Sequence, residues 1–205
     1  MNNLAIMKTE IEAKFLKCNH EDLRKKLRTC GAVCEKPMVL MRRAILDYPD
    51  HRLEAGEANA YVRVRDEGDK VTLTFKQFDS LSIDGAKEID TTVGSFSDTI
   101  QIFEAIGLEV GSLQESKRET WRLDGCEVVL DEWPWLLPYV EIEATSEDEV
   151  RRVAKQLGFD WSKAVFGDVM VAYRAQYPFL TEDQTVGRLA QVRFADPLPD
   201  ILLPQ

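Results

Sequence analysis

Alternation of apolar and polar residues with a period of two runs through most of this chain, and it commits the fold to β-strands. Met7, Thr9, Ile11, Ala13 and Phe15 share one face of a segment whose other face carries Lys8, Glu10, Glu12 and Lys14. Val62 and Val64 alternate with Tyr61, Arg63 and Arg65, and Val71, Leu73 and Phe75 alternate with Thr72, Thr74 and Lys76. Glu88 and Asp90 share a face, as do Arg118, Thr120 and Arg122. Cys126, Val128 and Leu130 alternate with Glu127, Val129 and Asp131, and Val140, Ile142 and Ala144 with Tyr139, Glu141 and Glu143. With Met38 to Asp47 this gives about eight strands, mostly antiparallel because many of the links are short.

Three helices interrupt the strands. Asn19 and Gly31, Ser95 and Gly107, and Ser146 and Gly158 are each twelve positions apart, and Asp22, Asp98 or Glu149 follows three places after the opening residue. Asn and Ser cap a helix by accepting a backbone N–H, an acid in the first turn complements the helix dipole, and glycine suits the left-handed stop. Between these limits the apolar residues recur at helical spacing, as in Leu23, Leu27 and Cys30, or Val150, Val153 and Leu157. An internal repeat and three unrelated helices explain the spacing equally well. Strand, helix, strands, helix, strands, helix is an α+β order.

Asp66 to Asp69 forms a hairpin turn, and Phe78 to Ala86 reads as a polar, mobile connector. The domain is expected to span residues 1–177. Beyond Tyr177-Pro178, residues 178–205 form a tail, either docked through Leu189, Val192 and Phe194 or disordered.

Composition removes several function classes. The 205 residues include 36 acidic against 26 basic, a net charge of -10, which argues against a broad nucleic-acid-binding surface. No apolar run approaches a membrane span, and Met1 to Glu10 has no apolar signal core. Four cysteines without a CxxC pair, and only His20 and His51, argue against a zinc site, a disulfide framework and a His-centred triad. A cytoplasmic protein is expected, monomeric or homodimeric, with the cysteines as small apolar residues.

The polar strand faces are unusual. Solvent-facing strands carry mixed Thr, Lys, Glu and Ser; here the acids come in i, i+2 pairs: Glu10 with Glu12, Glu88 with Asp90, Glu141 with Glu143. The bases are Lys14, Arg63, Arg65, Lys76, Arg118 and, if it points inward, Arg43. Guanidinium groups grip phosphate oxygens in pairs, and paired carboxylates suit a hard divalent cation. A sheet closed with these faces inward would hold a polyanion with Mg²⁺ or Mn²⁺.

Glu10-Ile11-Glu12-Ala13-Lys14 resembles the ExExK signature of the CYTH family, the triphosphate tunnel metalloenzymes. Further matches follow in the family's order: Leu46 to Asp50 with Leu53, Tyr61 to Arg65, Thr72 to Lys76, Lys87 to Asp90, Ser116 to Arg118 with Trp121, and Asp131 with Tyr139 to Glu143. The resemblance spans residues 7 to 175. It implies a closed eight-stranded antiparallel β-barrel, a triphosphate tunnel, with amphipathic helices packed outside. It also implies that Lys14, Arg63, Arg65, Lys76 and Arg118 bind phosphate, and that Glu10, Glu12, Asp131, Glu141 and Glu143 ligate Mg²⁺ or Mn²⁺, directly or through water. Glu88 and Asp90 would line the same tunnel and orient water or basic side chains. Glu10, Glu12, Lys14 and Arg65 would carry catalysis.

The departures are local. Where the family's QxDxYF segment has an acid, this chain has Arg43. Ser116 replaces a lysine, Lys163 to Asp168 is a loose match to the C-terminal lysine motif, and Trp133-Pro134-Trp135 replaces a glycine-containing loop. Lys163 is therefore a weaker substrate-binding candidate. Three readings follow: a metal-dependent triphosphatase first, a class IV adenylyl cyclase second, and a non-catalytic triphosphate- or nucleotide-binding module third. Inward salt bridges with no ligand are the structural alternative, costly for so many buried ions.

Overall fold

A computed structural model describes residues 7–56, 59–181 and 184–204. The chain forms β1 (Lys8–Phe15), α1 (His20–Thr29), β2 (Val33–Asp47), β3 (Ala60–Asp66), β4 (Val71–Phe78), β5 (Ala86–Val93), α2 (Phe96–Ala105), β6 (Glu109–Leu123), β7 (Cys126–Glu132), β8 (Tyr139–Ala144), α3 (Glu147–Gln156), α4 (Met170–Gln176) and β9 (Gln191–Val192). The sheet order is β2-β3-β4-β5-β1-β8-β7-β6, and β2 pairs with β6 from Val33↔Arg122 to Asp47↔Glu109. That last pairing closes the sheet into an eight-stranded antiparallel barrel and leaves no free edge between its first and last strands. With the helices outside it, the fold is α+β.

The barrel is apolar outside and polar inside, as the alternation requires. On one side Leu23 and Leu27 of α1, with Val150, Val153 and Ala154 of α3, cover Ala13, Phe15, Val128, Leu130, Val140 and Ile142. On the other, Phe96, Ile100 and Phe103 of α2 cover Ala44, Leu46, Val62 and Val64. Asn19, Ser95 and Ser146 cap the three helices with their side chains, and Gly31, Gly107 and Gly158 take positive φ. None of the helices among the described residues is long and apolar enough to cross a membrane.

Several elements differ from expectation. β2 and β6 both run for 15 residues, well beyond Met38–Asp47 and Arg118–Arg122. Register shifts between Cys34 and Lys36 and between Lys36 and Val39 break the alternation, and Pro37, which has no N–H to give, lies within the second. The 79–85 connector is compact rather than loose: Asp79 N–H donates to Gly85 O at 2.9 Å, and Glu12 N–H reaches Ile83 O at 3.1 Å. α4 was unannounced, being 7 residues long with no side-chain cap. It buries Met170 and Tyr173 against Leu180, Val186 and Leu202 of the following segment. There, β9 runs parallel to β6 (Leu113↔Gln191), and the Ser112 hydroxyl donates to Leu189 O at 2.6 Å. Val192 is fully buried, and Phe194 lies under Lys117 Nζ, 4.6 Å from the ring centroid.

Candidate active site

The barrel interior encloses a cavity of about 970 Å³, at the upper end of the range of small-molecule sites. Strand register decides what faces it. Across β1 and β8, Glu12 lies opposite Glu143 and Lys14 opposite Glu141. Across β6 and β7, Arg118 lies opposite Asp131, and across β2 and β3, Arg43 lies opposite Arg65. Across β4 and β5, Thr74 faces Asp90 and Lys76 faces Glu88. Each cross-strand pair brings one charged group within reach of the next, so residues far apart in sequence meet in one lumen.

The carboxylates of β1, β8 and β7 are paired with cations of their own and neighbouring strands. Lys14 Nζ is 2.6 Å from Glu12 and 3.3 Å from Glu141. Arg118 donates to both oxygens of Asp131, at 2.8 and 2.5 Å, and to Glu141 at 2.7 Å. Lys76 pairs with Glu10, and Glu143 meets Lys8 at the rim at 3.0 Å. Although burial raises its pKa, Glu141 is held well below the usual carboxylate range by Lys14 and Arg118. Burial opposes Glu10 in the same way, and the Lys76 charge brings it below its ordinary value. Burial, with the charge of Glu10, pushes Glu88 up to about 7. Burial also lifts Asp131 to about 6.

The low pKa of Glu141 makes a stability prediction. Its contribution is complete above the unfolded carboxylate value of 4.5 and is lost as pH falls toward the lower folded value. The stability gap between wild type and Glu141→Gln should therefore be widest near neutrality and narrow below about pH 4, as urea titrations at several pH values would record. A gap independent of pH would contradict the assignment.

The opposite wall, β2 and β3, is richer in cations than in ion pairs. Arg43 and Arg63 are buried, form no ion pair among the described residues, and keep an Nε with no hydrogen-bond partner. Arg43 donates to the Ser116 hydroxyl at 2.5 Å and lies 4.4 Å from the Trp133 ring centroid, while Arg63 donates to Thr74 Oγ1 at 3.1 Å. Burial and the neighbouring guanidiniums lower Arg43 to about 9 and Arg65 to about 10. Arg65 has a carboxylate, Glu67, at 2.9 and 2.6 Å. Buried cations facing one another call for an anion between them.

Most of the residues read from the strand pattern gather here: Glu10, Glu12, Lys14, Arg43, Arg63, Arg65, Lys76, Glu88, Asp90, Arg118, Glu141 and Glu143 line the cavity, and Asp131 sits behind Arg118 with no exposed surface. Lys163 does not join them; it ends a short exposed 3-10 turn, Trp161–Lys163, away from the lumen. The sequence does not announce Asp168 and Arg174, which line the cavity from around α4, or Glu67, which it places in a turn but which is buried inside. The one available signal for Glu67 was its i, i+2 relation to Arg65.

Among the described residues no three carboxylates converge tightly enough to hold a cation unaided. The donor set still suits Mg²⁺ or Mn²⁺, since a hard ion of this kind is usually held by one or two carboxylates together with phosphate oxygens.

A family profile described as the CYTH domain matches residues 8–160. A search of curated protein sequences finds no significant match. Among solved structures, a candidate adenylate cyclase from Vibrio parahaemolyticus superposes with a TM-score of 0.70 at 12% identity, over 81% of this chain and 98% of that one. PH1012 from Pyrococcus horikoshii OT3 gives 0.62 at 21%, over 76% and 93%. A candidate adenylyl cyclase from Hippeastrum, described as having a dominant triphosphatase activity, gives 0.55 at 16%, over 82% and 96%. At these identities the structures speak for the fold, and the profile match speaks for descent. The chain belongs to the CYTH domain family.

Proposed function

We propose that the chain is a divalent-metal-dependent triphosphatase that hydrolyses the terminal phosphoanhydride of a triphosphate bound in the barrel. The observation that carries this reading is the division of one lumen into a wall of unpaired, buried guanidiniums and a wall of carboxylates. Arg43 and Arg63 form no ion pair among the described residues, and Arg65 and Arg118, paired with Glu67 and with Asp131 and Glu141, line the same cavity. Glu10, Glu12 and Glu143, with Glu141 and Asp131 behind them, would hold Mg²⁺ or Mn²⁺, which when bound neutralises phosphate charge and polarises a phosphoryl oxygen.

The chain's own residues do the rest. Guanidiniums lining the lumen stabilise the charge that spreads over the phosphoryl oxygens, usually the largest single contribution to such a reaction. Lys14 is fixed by Glu12 and Glu141, so its ammonium is oriented before substrate arrives. Water attacks the terminal phosphorus, the bond to the bridging oxygen breaks, and a carboxylate of the β1 and β8 wall takes the water's proton. Orthophosphate release from tripolyphosphate should require added Mg²⁺ or Mn²⁺, stop with a chelator and resume when the metal is restored. Release indifferent to the cation would refute the reading.

Cyclisation of ATP is the second reading, favoured by the descriptions of two fold relatives. It requires a seat for adenine as well as for the triphosphate.

A further inference from the structure

We infer that Thr74 is a positioning residue, one that aims Arg63 at the bound phosphate chain without touching the substrate itself. The inference rests on the triphosphatase reading of the tunnel and adds a residue to its machinery.

Two threonines stand at i and i+2 on one face of β4, and register sets each opposite an arginine of β3: Thr72 opposite Arg65, Thr74 opposite Arg63. Both are buried, Thr74 completely. A hydroxyl donates one hydrogen bond and accepts others, and a carboxylate lies beside each threonine. The Thr72 hydroxyl donates to Glu67 at 3.3 Å, and the Thr74 hydroxyl donates to Asp90 at 2.6 Å.

The two arginines are held differently. Arg65 reaches its carboxylate directly, through Nε at 2.9 Å and Nη2 at 2.6 Å, so Thr72 only adds a third bond to the same Glu67 oxygen. Arg63 reaches a carboxylate only through a hydroxyl. Its one hydrogen bond among the described residues runs from Nη2 to Thr74 Oγ1 at 3.1 Å. Because the hydroxyl proton points at Asp90, the oxygen presents a lone pair to Arg63. Register repeats that order across three strands, Arg63 opposite Thr74 and Thr74 opposite Asp90.

Arg63 lines the cavity, and Thr74 is not among the described residues that do. A substrate therefore meets the guanidinium and not the hydroxyl. A cation attracts a polyanion from many orientations, whereas charge developing in a transition state is stabilised by donors already in place. Thr74 should thus matter more to kcat than to KM.

The test takes Thr74→Val, Thr74→Ser and Thr72→Val through initial rates with tripolyphosphate and Mg²⁺, alone and in the Arg63→Ala background. Thr74→Val should lower kcat about tenfold, the range for a hydrogen bond to a charged group, with little change in KM. Thr74→Ser should restore most of the loss, and Thr72→Val should cost less than about threefold. In Arg63→Ala, Thr74→Val should cost nothing further, since the group it acts through is gone. An undiminished loss in that background, an equal loss from Thr72→Val, or full activity in Thr74→Val would overturn the inference. If Thr74→Val fails to fold, Asp90→Ala, at an exposed position, breaks the far end of the relay and carries the same expectation. Nitrogen-15 relaxation of the Arg63 Nε, assigned by its absence in Arg63→Ala, reads the positioning without turnover: its order should fall in Thr74→Val and return in Thr74→Ser. If wild type releases no orthophosphate, the triphosphatase reading fails, and unchanged order at Arg63 would separately refute the role of Thr74.

Discussion

Arg63→Ala should lower triphosphate hydrolysis by about 10²–10³-fold and yet leave the barrel as stable as wild type, or more so. The two halves of that result have one cause. Arg63 is 9% exposed, has no carboxylate partner among the described residues, and rests on a single hydrogen bond to Thr74, whose hydroxyl in turn donates to Asp90 at 2.6 Å. A buried charge without a counter-ion opposes folding. Removing it relieves that opposition, while the anion loses a group aimed at its oxygens. The readouts are kcat/KM with tripolyphosphate and the urea midpoint. A destabilised variant with normal activity would mean that Arg63 is structural and that the substrate lies elsewhere.

Arg118→Ala should do the reverse to stability. Asp131 has no exposed surface and receives two hydrogen bonds from Arg118, which also reaches Glu141. Taking away one partner of a buried pair strands the other, at a cost of about 3–5 kcal/mol. Because burial already lifts Asp131 to about 6 with the guanidinium present, the variant should be least stable at alkaline pH, where the carboxylate must stay charged. It should recover in part on acidification, as Asp131 takes a proton. Equilibrium urea denaturation at pH 6 and pH 8 measures this. A loss below about 1 kcal/mol, the level of an exposed pair, would show that Asp131 finds another partner.

Arg63 and Arg118 looked alike in the sequence, each a base on the polar face of a strand. The strand periodicity was enough to put both inside, because a shift of one residue would turn every side chain to the opposite face. It could not say which would be paired. That depends on cross-strand register, which sets Arg118 against Asp131 but Arg43 against Arg65. The helices over the barrel were legible because their limits are chemical: Asn19, Ser95 and Ser146 accept backbone N–H groups where the chain turns. α4 carries no such cap, and Val169 precedes it without a side-chain bond. Asp168 and Arg174 therefore entered the lumen unannounced, while Lys163, chosen from a loose motif match, stayed outside. β2 outran its expected length because its irregular pairing with β6 hides the period of two.

The measurement closest to the central claim is product identity by phosphorus NMR, with the purified protein, tripolyphosphate or ATP, and Mg²⁺ or Mn²⁺. A lumen with buried guanidiniums that form no ion pair among the described residues, set against a carboxylate wall, predicts orthophosphate together with pyrophosphate from tripolyphosphate, and no cyclic AMP from ATP. Cyclic AMP and pyrophosphate from ATP, with tripolyphosphate left intact, would contradict the account.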